Sequence, residues 1–176
     1  IIPRAVAVPA DAEDVVMLVE WAAAGNHPLI PRGSGSSMAG GAIGDGIVVD
    51  LSRLNAIEMP HPGATTLRCG PGALRDAVDA AARSIGQSFP VDPSSGAYCT
   101  VGGMASTNSA GAHTLRYGAM RQWIEAIDCV FADGSRAEIR RGAPPPGVKP
   151  DGRFRAAAAE CTASARPHAS VHPPVR

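Results

Sequence analysis

Pro31-Arg32-Gly33-Ser34-Gly35-Ser36-Ser37-Met38-Ala39-Gly40-Gly41 is the stretch that decides the reading of this chain. Over residues 32–46 there are six glycines and three serines. Glycine permits positive φ and close approach, so successive backbone N–H groups can converge on an anion, and serine hydroxyls add donors. A loop of this kind directly after a strand suits a pyrophosphate, and a flexible surface loop is the rival reading of the same composition. Two familiar phosphate loops do not match. A Walker loop needs G-K-[S/T], and no lysine precedes Lys149. A Rossmann loop runs straight into a helix, whereas here more glycine and then Ile47-Val48-Val49-Asp50-Leu51 follow, an apolar run that reads as a buried strand.

Working outward, Ala5–Val8 reads as a short strand ending at Pro9. Asp11 caps a helix with Val15, Leu18, Val19 and Ala22 on one face, and Gly25-Asn26 ends it. Pro28–Pro31 is a second strand, parallel to the first by the strand–helix–strand order. Ala56–Met59 and Thr65–Cys69 read as short strands joined through His61-Pro62-Gly63. Pro71 stands where a helix with Leu74, Ala77, Val78 and Ala81 on one face begins, before Gly86. Residues 88–122 carry little periodicity and read as a long loop. Trp123–Phe131 and Ser135–Arg140 form a hairpin about Asp133-Gly134. The fold class expected is α+β, one domain over residues 1–142. The remainder, 143–176, opens on Ala143-Pro144-Pro145-Pro146-Gly147 and is expected to be a disordered Pro/Ala-rich tail.

Charge and cysteine usage narrow the function classes. Lys+Arg and Asp+Glu are 16 each, which removes the electrostatic case for nucleic-acid binding. Residues 1–142 hold 11 basic against 14 acidic groups, and 143–176 hold 5 against 2. Cys69, Cys99, Cys129 and Cys161 lie about thirty residues apart with no C-x-x-C pair, so neither a zinc nor an iron–sulfur pattern is present and isolated thiols are expected. No run approaches the ~20 apolar residues of a membrane span. A cytoplasmic location is expected. The chain opens Ile1-Ile2 rather than with Met, which suggests a piece of a longer product.

Several blocks, in register over most of the chain, resemble the FAD-binding (PCMH-type) domain of the vanillyl-alcohol-oxidase-type oxidoreductases. Arg32–Ser37 is similar to the family's R-G-x-G-T-S loop, with Ser36 in place of the usual Thr. Gly46–Leu54 resembles the strand that follows. Cys69-Gly70-Pro71-Gly72 resembles the V-x-P-G turn, and Pro90–Ser95 the P-x-D-P-S-S segment. Thr100–Gly111 matches T-[IV]-G-G-x-x-[AS]-x-N-[AS]-x-G, and Tyr117-Gly118 and Val130–Gly134 complete the set. The style of these loops is closest to D-2-hydroxy-acid dehydrogenases acting on D-lactate or D-2-hydroxyglutarate.

The resemblance implies two α+β subdomains with FAD between them and a small 2-hydroxy-acid substrate in the full-length family. It implies that Arg32, Gly33, Ser34, Gly35, Ser36 and Ser37 wrap the FAD pyrophosphate. Pro93, Ser94, Thr100, Gly102, Gly103, Ser106, Asn108, Ser109 and Gly111 then line its other side and reach toward the flavin. Ser36 stands where covalent members carry His, so the flavin is expected to be non-covalent. The family's closing E-G-T-L-G-type strand and its substrate-binding cap have no counterpart after Gly142, so the domain is expected to be truncated. The resemblance assigns no catalytic residue here, no metal and no electron acceptor.

Individual residues keep two readings. Arg32 either neutralises the pyrophosphate or pairs with a surface acid. His113 reads as a hydrogen-bonding structural residue rather than a base, and Trp123 and Phe131 as core. The spacing of His168 and His172 in a Pro-rich tail reads as chance.

Overall fold

The computed structural model describes residues 1–144. The expected tail of 143–176, with Cys161, His168 and His172, lies almost wholly outside the described residues.

The architecture is α+β, with two small sheets. Strands β1 (Ala5–Ala7), β2 (Leu29–Arg32) and β3 (Ile47–Asp50) form a parallel sheet in the order β1-β3-β2. β1 and β2 run parallel as the strand–helix–strand order requires, but they are not neighbours. β3 enters between them, with Ile47 opposite both Ala5 and Leu29. The reason lies in the residues, because the central position of a parallel sheet is covered on both faces and Ile47, Val48 and Val49 are all buried. Helix α1 (Ala12–Ala24) links β1 and β2. Asp11 caps it by accepting from Asp14 N at 2.9 Å, and Asn26 takes the positive φ of the exit turn.

Helix α2 (Arg75–Arg83) begins four residues later than Pro71 suggests. Pro71-Gly72 is occupied by a turn instead, because Gly72 N donates to Leu54 O at 2.9 Å and holds that segment beside the 51–54 strand exit. The two short strands expected about His61-Pro62-Gly63 reduce to one antiparallel bridge, Ile57 to Cys69. Strands β4 (Ala126–Val130) and β5 (Arg136–Arg140) form the antiparallel hairpin about Asp133-Gly134. Trp123 belongs to a 3-10 turn, Met120–Trp123, ahead of β4.

The expected long loop of 88–122 is the principal correction. It contains α3 (Val101–Thr107), α4 (Thr114–Tyr117) and the 3-10 turn. Helix α3 reads Val-Gly-Gly-Met-Ala-Ser-Thr, whose glycines and β-branched residues disfavour a helix. Two tertiary features outweigh that cost. Thr100 caps it by accepting from Gly103 N, and Met104 is buried to 1% exposure. Met104, Val91, Cys99 and Met120 form a second small core, with Phe89, Val101, Trp123 and Ile124 packed against it. Trp123 therefore packs on the core as expected, and its Nε1 donates to Tyr117 O at 2.9 Å.

Among the described residues no helix is long and apolar enough to cross a membrane, and no group of His, Cys, Asp and Glu is placed to hold a metal. Cys69, Cys99 and Cys129 are free thiols, each pushed up from the ordinary thiol range by burial.

Candidate cofactor site

Strand β2 delivers Arg32 to the mouth of the glycine-rich loop. From Ser34 to Met38 the backbone is exposed and free of regular structure. Gly33 is different, because it is pressed against the start of α3. A Cβ on Gly33 would stand 2.1 Å from Thr100 Oγ1 and 3.2 Å from Thr100 Cβ. The two segments that the sequence marked as halves of one site, 32–37 and 93–111, therefore meet at this contact although almost seventy residues separate Gly33 from Thr100.

The donors of the first segment are largely uncommitted. Among the described residues the Ser34 and Ser36 hydroxyls hydrogen-bond each other, at 3.5 Å, and Ser37 Oγ accepts from Ala39 N at 3.4 Å. Gly35 adopts φ +72°, and a Cβ there would lie 2.8 Å from an Arg32 guanidinium nitrogen. Arg32 is folded under the loop and makes no ion pair among the described residues. A cation held beneath exposed hydroxyls and a positive-φ glycine is the chemistry a pyrophosphate needs. The Asp50 carboxyl, held below its ordinary range chiefly by the Ser52 hydrogen bonds, also feels the Arg32 charge, so both readings of Arg32 stand.

The second segment is more committed to its own fold. Gly102 N donates to Pro71 O at 2.8 Å, and a Cβ on Gly102 would meet Pro71 at 2.7 Å. Gly103 N goes to Thr100 Oγ1, and Ser106 Oγ donates to Gly103 O at 3.0 Å. Asn108 takes the left-handed conformation that ends α3, and its Oδ1 accepts from Arg121 N at 2.9 Å. Ser109 Oγ is 2.9 Å from Thr107 Oγ1. Gly111 N donates to Thr114 Oγ1 at 2.9 Å, and a Cβ on Gly111 would meet Asp92 O at 2.2 Å. Gly102 and Gly111 are thus required by chain-on-chain packing, and the sequence alone could not separate that use from approach to a ligand. Ser94 remains exposed at the tip of the turn closed by Gly96 N to Pro93 O, 2.8 Å.

Sequence reading assigned His113 a structural hydrogen bond without its partner. The partner is Asp92, whose Oδ2 meets His113 Nδ1 and whose Oδ1 accepts from His113 N at 3.3 Å. The His113 contact holds the Asp92 carboxyl below its ordinary range.

Comparison with known proteins agrees with this geometry. Residues 3–140 match the FAD binding domain family. The chain is 33% identical over 139 residues to a D-2-hydroxyglutarate dehydrogenase of Xanthomonas citri pv. viticola, covering 78% of this chain and 29% of that protein. It is 34% identical over 128 residues to a D-lactate dehydrogenase of Archaeoglobus fulgidus, covering 72% and 28%. In structure it is similar to a xylooligosaccharide oxidase of Myceliophthora thermophila, with TM-score 0.72, 26% identity, and coverage of 81% of this chain and 30% of that one. It also resembles an alkyldihydroxyacetonephosphate synthase, with TM-score 0.68, 27% identity, and coverage of 78% and 28%. The chain spans less than a third of the length of these relatives. What the match does cover is nearly all of the described residues, and the chain belongs to the FAD-binding domain family of the FAD-dependent oxidoreductases.

Proposed function

We propose that this chain is the FAD-binding portion of a flavin-dependent dehydrogenase that oxidises a D-2-hydroxy acid such as D-lactate or D-2-hydroxyglutarate. The observation that carries the reading is the Gly33–Thr100 contact, which brings the 32–37 and 93–111 segments together beside the Arg32 guanidinium. The relatives named for D-lactate and D-2-hydroxyglutarate support the substrate class.

In this reading Arg32 and the 33–37 backbone, with the hydroxyls of Ser34, Ser36 and Ser37, bind the pyrophosphate without a covalent link. Pro93, Ser94, Thr100, Gly102, Gly103, Ser106, Asn108, Ser109 and Gly111 form the opposite wall. Thr100, Gly102, Gly103 and Gly111 set the backbone path there, while Ser94, Asn108 and Ser109 present polar groups. The domain comprises residues 1–142, and a cytoplasmic location is part of the proposal, consistent with three free thiols. Bound flavin supplies a hydride acceptor, and the protein's part is to hold it and shield it from water.

A second reading is an FAD- or nucleotide-binding remnant without turnover. Anaerobic mixing of the FAD-loaded protein with D- and L-enantiomers of lactate and 2-hydroxyglutarate separates the two. Loss of oxidised-flavin absorbance with the D-acids alone supports the dehydrogenase. Bound flavin that none of the acids reduces selects the remnant.

A further inference from the structure

The segment bearing Pro93 and Ser94 has no regular structure of its own, yet it is fastened at several points to one residue. Arg75, the first residue of α2, donates from Nε to Val91 O and from a terminal nitrogen to Phe89 O, each at 3.0 Å. Its backbone N donates to Cys99 O at 3.0 Å. Its side chain also passes Gly96, where a Cβ would lie 3.6 Å from Arg75 Cδ. Arg75 thus touches the loop before, within and after the Pro93–Ser94 turn.

The Arg75 side chain is only 15% exposed, and its charge is already matched by Asp76 at 2.9 Å and Asp79 at 3.9 Å. It is therefore not a ligand cation in waiting. Asp79, 6% exposed, completes the arrangement by accepting from Phe89 N at 2.9 Å while binding Arg83 at 2.7 Å. On its far side the same loop is held by Asp92 to His113.

We propose that Arg75 is a positioning residue for the flavin-side wall of the cofactor site: its planar fork, steadied by Asp79, fixes two carbonyls of the 89–91 segment and so sets the place of Pro93 and Ser94. Lysine cannot reproduce this, because a single ammonium on a flexible stem does not present two donors in a fixed fork. The role rests on the reading of 93–111 as a cofactor wall. The pyrophosphate loop 32–37 is carried by β2 and meets the other wall at Thr100, whereas the Arg75 fork holds the 89–91 segment, so loss of the fork bears first on Pro93 and Ser94.

The test compares wild type with Arg75→Lys by FAD titration, ADP titration, thermal melting and amide hydrogen exchange. The expected result is an FAD affinity weakened about tenfold with ADP affinity and melting nearly unchanged. Exchange at Gly96, Tyr98 and Cys99 should rise while exchange in β3 does not. Asp79→Asn keeps an acceptor for Phe89 N but loosens the hold on Arg75, and should weaken FAD affinity in the same direction by less, with a lowered melting temperature. It stands in if Arg75→Lys fails to melt cooperatively. A wild type that binds ADP and FAD, with both variants binding FAD equally well, overturns the role of Arg75. A wild type that binds neither overturns the cofactor reading beneath it.

Discussion

Gly33 and Thr100 touch so closely that a single added methyl would close the gap between them, since a Cβ on Gly33 would fall 2.1 Å from Thr100 Oγ1. This contact joins the parallel sheet to the start of α3, and with it the two walls of the proposed cofactor site. Gly33→Ala is expected to cost about 1–3 kcal/mol, as overpacking does, and to weaken FAD binding. Thr100→Ala in the same background should recover part of the stability by removing the hydroxyl, although Thr100 also caps α3. Thermal melts of the two single variants and the double variant check this. Additive losses would mean that the two residues do not press on each other.

Asp79 makes stability depend on pH in a predictable direction. Burial pushes its carboxyl upward, but the bond from Arg83, the Phe89 N–H and the charge of Arg75 outweigh that, leaving it below its ordinary value. A depressed folded-state pKa gives stability that is full above the unfolded value of about 4 and is lost as pH falls through the folded value. Asp79→Asn should therefore cost about 1–3 kcal/mol at neutral pH and flatten the loss of stability below about pH 4. Denaturant melts across the acid range measure both effects. A variant with the wild-type acid slope would show that Asp79 is not the group responsible.

FAD is expected to leave the protein on denaturation. The resemblance places Ser36 where covalent members of the family carry His, and no histidine lies between His27 and His61. Acid precipitation followed by absorbance of pellet and supernatant is the measurement. Flavin left in the pellet would contradict a non-covalent site.

Much of this organisation was legible in the sequence, and the limits are physical. The β1–α1–β2 unit announced itself through Asp11, the spacing of Val15, Leu18 and Val19, and Asn26, all of which act locally. The insertion of β3 between β1 and β2 is a pairing over forty residues and leaves no local mark beyond the unbroken Ile47-Val48-Val49. Helix α3 was hidden because its sequence opposes helix formation, and Met104 and Thr100 stabilise it only once packed. In the site, residue types gave the loops, but only the fold separated Gly35, which faces the Arg32 side chain in an exposed loop, from Gly102 and Gly111, which are packed against Pro71 and Asp92. The fork of Arg75 on Phe89 and Val91 had no signature, because its partners are backbone carbonyls.

Whether the Arg32–Ser37 loop cradles the pyrophosphate is decided by titrating wild type and Gly35→Val with FAD while following flavin fluorescence. Gly35 has φ +72°, and a Cβ there would meet the Arg32 guanidinium at 2.8 Å, so valine strains the loop and displaces its cation together. The loop is exposed, so the fold itself should survive. The account predicts saturable binding by wild type, competition by ADP but not by riboflavin, and loss of binding in a folded Gly35→Val protein. Equal FAD affinity in the two proteins would contradict it.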